Sequence, residues 1–142
     1  MKKFFKRSSK GSLIVEAAIL IPILLGVAFF IIEFGNVLYL SNTLNQIARS
    51  AARYAAVTPS YTQQDLITAS GASKVLPNVS KLTLNITPAP GAAKTVGTTI
   101  TVTVSYSYIP TINPFKLFNS NEKWAPVINS ASIARAEVAY AP

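Results

Sequence analysis

Cysteine and histidine are both absent from this sequence of 142 residues. Their absence excludes a disulfide framework, a thiolate nucleophile and a metal site built from these side chains. Charged residues make up only 13% of the chain, whereas a soluble domain usually carries about a quarter. There is no glycine-rich phosphate loop, and Asp65, Glu122 and Glu137 are isolated in sequence. The residue types therefore predict a protein that is not an enzyme, with no catalytic or metal site, no cofactor and no small-molecule substrate.

The net charge of +8 is concentrated at the N-terminus. The first ten positions contain five basic residues and no acidic one: Lys2, Lys3, Lys6, Arg7 and Lys10. The other basic residues are scattered and form no basic face with interleaved aromatics, which a nucleic-acid surface would show. We therefore expect no nucleic-acid partner, and we interpret Arg49 and Arg53 as part of a solvated helix face.

An apolar run from Ser12 to Ile32 follows the basic segment and is interrupted only by Ser12 itself and Glu16. As a helix it would span roughly 31 Å at about 1.5 Å per residue, close to the thickness of a bilayer core. A buried core helix rarely stays apolar on all sides for so long. The run therefore predicts a transmembrane helix over 12–33, in which Pro22 is tolerated. Its basic flank places the N-terminus in the cytoplasm and the rest of this single-pass protein outside the inner membrane.

Helical periodicity continues beyond the apolar run, with polar residues on the opposite side. The apolar positions at helical spacing are Phe34, Val37, Leu44, Ala48, Ala51 and Ala55. Thr58-Pro59 ends the pattern. The sequence predicts an amphipathic helix over 34–57 that continues the membrane half without a break.

The remaining residues, 58–142, predict a small extracytoplasmic α+β domain. Thr62 has the features of an N-cap, with an acid three residues later, for a short helix over about 63–75. Alternating apolar and polar residues predict strands at about 80–87, 98–109 and 127–140. These strands form an antiparallel meander that the small-residue half of the long helix covers. Large apolar residues in the last connecting loop are interpreted as pinning it to the sheet: Phe115, Leu117, Phe118 and Trp124.

The N-terminus carries one specific pattern: a basic leader, then Gly11, Ser12, the apolar run, and Glu16 as the fifth residue after the glycine. This pattern resembles the class III signal of type IV pilins and pseudopilins. The resemblance implies that a prepilin peptidase cuts after Gly11 and removes a leader of residues 1–11. Ser12 becomes the mature N-terminus, and Glu16 becomes the residue of subunit assembly at mature position five.

A longer stretch, "GSLIVEAAILIPILLGVAFFIIEFGNVLYLSNTLNQIARSAARYAA", is similar to the TadE-like family of tight-adherence (Tad, or Flp) pilus systems. The shared features are Glu16, Pro22, Glu33-Phe34-Gly35 and the alanine-rich end. The tail resembles the family through "TVTVSYSYIP" and "NSASIARAEV", and the resemblance does not separate TadE from TadF. It implies a type IV pilin-like fold and a minor pilin or pseudopilin. Such a subunit serves adhesion or secretion, and its partners are the inner membrane, the prepilin peptidase and other pilins.

Small residues in the apolar run would let such helices approach closely. The candidate packing positions are Ala17, Ala18, Pro22, Gly26 and Ala28. Glu16 is expected to meet the N-terminal amine of a neighbouring subunit. Glu33 is expected to reach headgroup water at the opposite interface, with no other role.

Three other classes of protein share part of this pattern. An uncleaved single-pass anchor has the same hydropathy but gives no reason for Gly11 and Glu16. A secreted protein would be cut after Ala28, although apolar residues continue to Ile32. A membrane enzyme would need a catalytic set, and none is visible.

Overall fold

The computed structural model describes residues 9–110 and 125–142. Within them, the helices are α1 (Ser9–Val57), α2 (Gln63–Ala69), α3 (Ala72–Val75) and a 3₁₀ turn at Val79–Lys81. The strands are β1 (Leu82–Thr87), β2 (Thr99–Ser107) and β3 (Val127–Arg135). This arrangement confirms the predicted α+β fold, in which a long N-terminal helix packs on a small antiparallel sheet, consistent with a pilin-like architecture.

The three strands form a meander in the order β1-β2-β3, and both strand pairs are antiparallel. Val104 in the central strand lies opposite Leu84 on one side and Ser130 on the other. One face of the sheet is buried because apolar side chains alternate with short polar ones along β1 and β2. Its buried side chains are Leu82, Leu84, Ile100, Val102, Val104 and Tyr106.

The second half of α1 covers this face, mainly over β2 and β3. Its buried apolar positions are Leu40, Leu44, Ile47, Ala48, Ala51, Ala52, Ala55 and Ala56. The alanines near the end of α1 let the helix backbone approach the sheet closely. Phe34 was predicted on this face but is exposed and stacks on Phe30, with ring centroids 6.2 Å apart. It lies one residue, or about 100°, away from the buried Glu33 around the helix axis.

The predicted helix over 63–75 is wrong in one respect, because the structure divides it into α2 and α3. Thr62 caps α2 as predicted: its hydroxyl accepts from the Asp65 amide, and its own amide donates to the Asp65 carboxylate at 2.9 Å. The break falls at Gly71, whose φ of 70° is left-handed. Glycine takes this conformation at little cost, so it ends the helical path here.

The third strand ends at Arg135 and does not continue to residue 140 as predicted. After Arg135 the chain passes the end of α1, where the Glu137 amide donates to the Ala56 carbonyl at 2.8 Å. Tyr140 then forms an isolated antiparallel bridge with Lys94. The backbone of this segment therefore bonds to the helix end through Glu137 and to the chain before β2 through Ala136 and Tyr140, without continuing β3 as a strand. The loop residues predicted to pin the sheet, Phe115 to Trp124, lie outside the described residues.

Candidate functional site: the long helix and its two junctions

The half of α1 that precedes Glu33 is exposed along its described length. α1 is the helix, among the described residues, that is long and apolar enough to cross a membrane. Each candidate packing residue (Ala17, Ala18, Pro22, Gly26 and Ala28) lies on this exposed half. A Cβ added at Gly26 would meet no atom within 4 Å. No contact with the described residues therefore requires a small residue there, and its role in helix packing stays a prediction.

Gly11, Ser12 and Glu16 all lie on α1 near its start, far from the sheet. Gly11 and Glu16 are exposed, and a Cβ added at Gly11 would also meet no atom within 4 Å. Glu16 forms no ion pair within 4.0 Å with another described residue. The structure brings these residues together only as neighbours on one helix. Their assigned roles, cleavage and subunit assembly, remain predictions.

The expectation that Glu33 reaches headgroup water is wrong, because this side chain is only 6% exposed. The Tyr108 hydroxyl, just beyond β2, donates to Glu33 Oε1 at 2.5 Å, and the Asn36 side chain also hydrogen-bonds that hydroxyl. Glu33 Oε2 is buried without a partner among the described residues. The two partners are 75 residues apart in sequence, so no local pattern connects them. This contact joins the membrane half of α1 to the sheet.

The environment of Tyr108 favours its neutral phenol. Burial, followed by the hydrogen bond and the negative charge of Glu33, raises the pKa of Tyr108 to about 12 from an ordinary value of 10.0. A group that holds its proton more tightly in the folded state stabilises the fold below its unfolded pKa. This contribution is complete below about pH 10 and is lost as the pH rises through about 12.

We expect Tyr108→Phe to remove part of the late-titrating tyrosinate absorbance of the full chain in detergent. Burial also raises the pKa of Tyr61, so a smaller late step should remain. The Lys94 ammonium does not absorb in the tyrosinate band, so the absorbance reports only the tyrosine side chains. Tyr39→Phe is the matched control, because it removes an exposed tyrosine on α1. An unchanged late amplitude in Tyr108→Phe would contradict the assignment.

The membrane-distal end of α1 is held by Lys94, a side chain that is only 4% exposed. Its Nζ donates to the Ala55 carbonyl at 2.7 Å and to the Thr58 carbonyl at 2.5 Å, and lies 4.9 Å from the Tyr61 ring centroid. Burial lowers the pKa of Lys94. A cation here is favourable because helix C-termini carry partial negative charge and unpaired carbonyl groups. Sequence reasoning missed this residue because it lies in a turn with no periodic pattern.

These features define a class of protein: a membrane-associated chain in which a long helix is half exposed and apolar, and half packed on an antiparallel sheet. A family model described as "TadE-like protein" matches residues 11–53, which is most of α1 and includes both Glu16 and Glu33. The match confirms that this helix resembles the TadE-like family, which is associated with Tad pilus systems. Searches of curated proteins and of solved structures give no match.

Among the described residues, no cluster of three or more His, Cys, Asp or Glu side chains could hold a metal ion. The TadE-like, pilus-associated family is structural rather than catalytic. The helix α1 has an apolar exposed surface on its first half and a buried carboxylate, Glu33, near its middle. Its last turn packs on the sheet and is capped by Lys94. This arrangement fits anchoring and assembly.

Proposed function

We propose that this protein is a minor pilin or pseudopilin, a structural subunit in the assembly of a Tad-type pilus or secretion apparatus. The observation that carries the proposal is the contrast along α1. The half before Glu33 is apolar and exposed, while the half after it buries one face on the sheet from Leu40 onward. A surface of this kind needs lipid or other helices around it, and the TadE-like match points to other pilins.

Assembly begins in the inner membrane, with the N-terminus in the cytoplasm and the sheet outside. Prepilin peptidase cuts after Gly11, and the apolar half of α1 then moves from lipid into contact with other pilin helices. Its apolar surface stays out of water throughout, so the free-energy change is small and shape matching decides the outcome. Small residues such as Ala17 and Gly26 allow helices to approach closely.

Glu16 acts as a register pin in this mechanism. After cleavage, Ser12 carries a free amine with a reference pKa near 8, which is mostly cationic at neutral pH. Glu16 lies about 6 Å further along the helix, a geometry that makes pairing within one chain awkward. A neighbouring subunit, offset along the filament, brings its amine to this carboxylate. One stagger between subunits is then favoured over others.

The test is the mass of the protein with and without a co-expressed prepilin peptidase. We expect the peptidase to produce a chain that begins at Ser12, and Gly11→Phe to stay full-length because a bulky side chain blocks the peptidase. Gly26→Phe is the matched control: it also lies in open space on α1 and should still be cut.

N-terminal sequencing of the extracted protein separates the alternatives. A start at Met1 with an identical mass in both strains would reject processing and favour an uncleaved single-pass anchor with a small extracytoplasmic interaction domain. A start at Phe29 would instead indicate a secreted protein.

A further inference from the structure

A cleft of about 740 Å³ opens at the membrane-distal end of α1. It lies between the last turns of the helix, the end of β3 and the turn that precedes β2. Its principal lining residues are Arg53, Val57, Val96, Arg135, Ala136 and Glu137. Charged and apolar side chains therefore come together here from three separate parts of the chain.

Neither arginine of the cleft forms an ion pair with another described residue. Among the described residues, neither Arg53 nor Arg135 lies within 4.0 Å of the Glu137 carboxylate in an ion pair. The end of α1 already has other donors, because Lys94 donates to the Ala55 and Thr58 carbonyl groups and the Glu137 amide donates to the Ala56 carbonyl. The two arginines outnumber Glu137 in the cleft, so the cleft carries a net positive charge that no ion pair among the described residues neutralises.

Apolar side chains lie beside these guanidinium groups. Val57 is 53% exposed and Val96 is 68% exposed, and both line the cleft. An arginine presents several donors in a planar fork that suits carboxylates, while the valines offer surface to an apolar side chain. The combination suits a peptide in which acidic and apolar residues are adjacent.

The position of the cleft argues against a lipid headgroup of the membrane that α1 crosses. Val57 lies 24 residues beyond Glu33, or roughly 36 Å along the helix at about 1.5 Å per residue. Nucleic acid is also disfavoured, because its binding is dominated by contacts of several Lys and Arg side chains to phosphates and this cleft offers two arginines.

A second copy of this chain is a poor occupant, since its described residues offer no exposed acidic side chain outside the membrane half of α1, the cap of α2 and the cleft itself. Glu16 and Glu33 belong to the membrane half of α1 and its edge, and Asp65 is held in the cap of α2. Glu137 lines the cleft itself. Charge complementarity therefore favours a different protein.

We propose that this cleft binds an acidic segment of a different protein, in which a carboxylate side chain neighbours an apolar one. Arg53 and Arg135 hold the carboxylates, and Val57 and Val96 receive the apolar side chain. The proposal goes beyond assembly through α1 and does not depend on cleavage at Gly11.

The experiment measures fluorescence anisotropy of a labelled peptide of alternating glutamate and leucine with the full chain in detergent. A peptide with glutamine in place of glutamate is the uncharged comparison. We expect Arg53→Glu and Arg135→Glu each to weaken binding of the acidic peptide about tenfold, because attraction becomes repulsion. Arg49→Glu is the matched control, since Arg49 is exposed one turn earlier on α1 and does not line the cleft. It should change the affinity by less than about twofold.

Val96→Asp provides a second variant on an exposed turn, where an added acid is not expected to disturb the core. It should weaken binding about as much as Arg53→Glu, with an unchanged circular dichroism spectrum. The proposal is overturned if the acidic peptide does not bind, if the glutamine peptide binds equally well, or if Arg49→Glu weakens binding as much as Arg53→Glu.

Discussion

Glu16→Ala is expected to insert into the membrane and to be cut after Gly11, yet to fail to join the filament. An isolated charge at the centre of a membrane helix costs roughly 2.5–3.5 kcal/mol on insertion scales, and less near the interface. Removing the carboxylate therefore does not hinder insertion. What is lost is the partner of the cationic Ser12 amine on the neighbouring subunit, and with it the preference for one stagger.

The measurement is a pull-down of the variant with the other pilins from cells that carry the whole apparatus. Glu16→Gln, which keeps the size of the side chain but not its charge, should fail in the same way. Ile19→Ala is the control, because Ile19 is an exposed residue less than one turn further along α1, and it should be incorporated. Normal incorporation of Glu16→Ala would reject the register pin.

Leu44→Ala should lower the free energy of unfolding of the sheet domain by about 2–5 kcal/mol, the usual cost of truncating a buried leucine. Leu44 is 0% exposed and lies in the interface between α1 and the sheet. Its removal loses apolar burial and leaves a cavity between elements that are already closely packed. Denaturant unfolding of the full chain in detergent, followed by circular dichroism, gives the value.

Leu38→Ala is the control for this change, because Leu38 lies on the same helix but is 49% exposed. We expect it to alter the unfolding free energy by no more than about 0.5 kcal/mol. Equal unfolding midpoints for the two variants would mean that α1 does not pack on the sheet as described.

The parts of the fold that were predicted correctly are those with a local repeating pattern. Alternation along β2, from Ile100 to Tyr106, shows directly which side chains face the core. The apolar run and the alanine-rich continuation show the course of α1 in the same way. The N-terminal resemblance was also recognisable, since Gly11, Ser12 and Glu16 lie within a short stretch that the TadE-like family model matches.

What could not be predicted depends on contacts between residues far apart in sequence. Glu33 lies at the end of an apolar run. The sequence around it would look the same if its side chain pointed to water or to Tyr108. Lys94 caps carbonyl groups that precede it by up to 39 residues. The charged cleft likewise forms only once β3 ends beside α1. Glu33→Ala should therefore remove the contact between this carboxylate of α1 and Tyr108 at the edge of the sheet. Its sequence position implied only the loss of an exposed charge.

The continuity of α1 fixes the orientation of the sheet relative to the apolar half of the helix. The helix runs for 49 residues without interruption, or roughly 74 Å at about 1.5 Å per residue, and no flexible hinge separates its two halves. Each residue between Glu33 and Leu40 turns the sheet by about 100° around the helix axis. The number of residues between Glu33 and Leu40 therefore sets the direction in which the sheet faces, measured around the axis of α1 and relative to its apolar half.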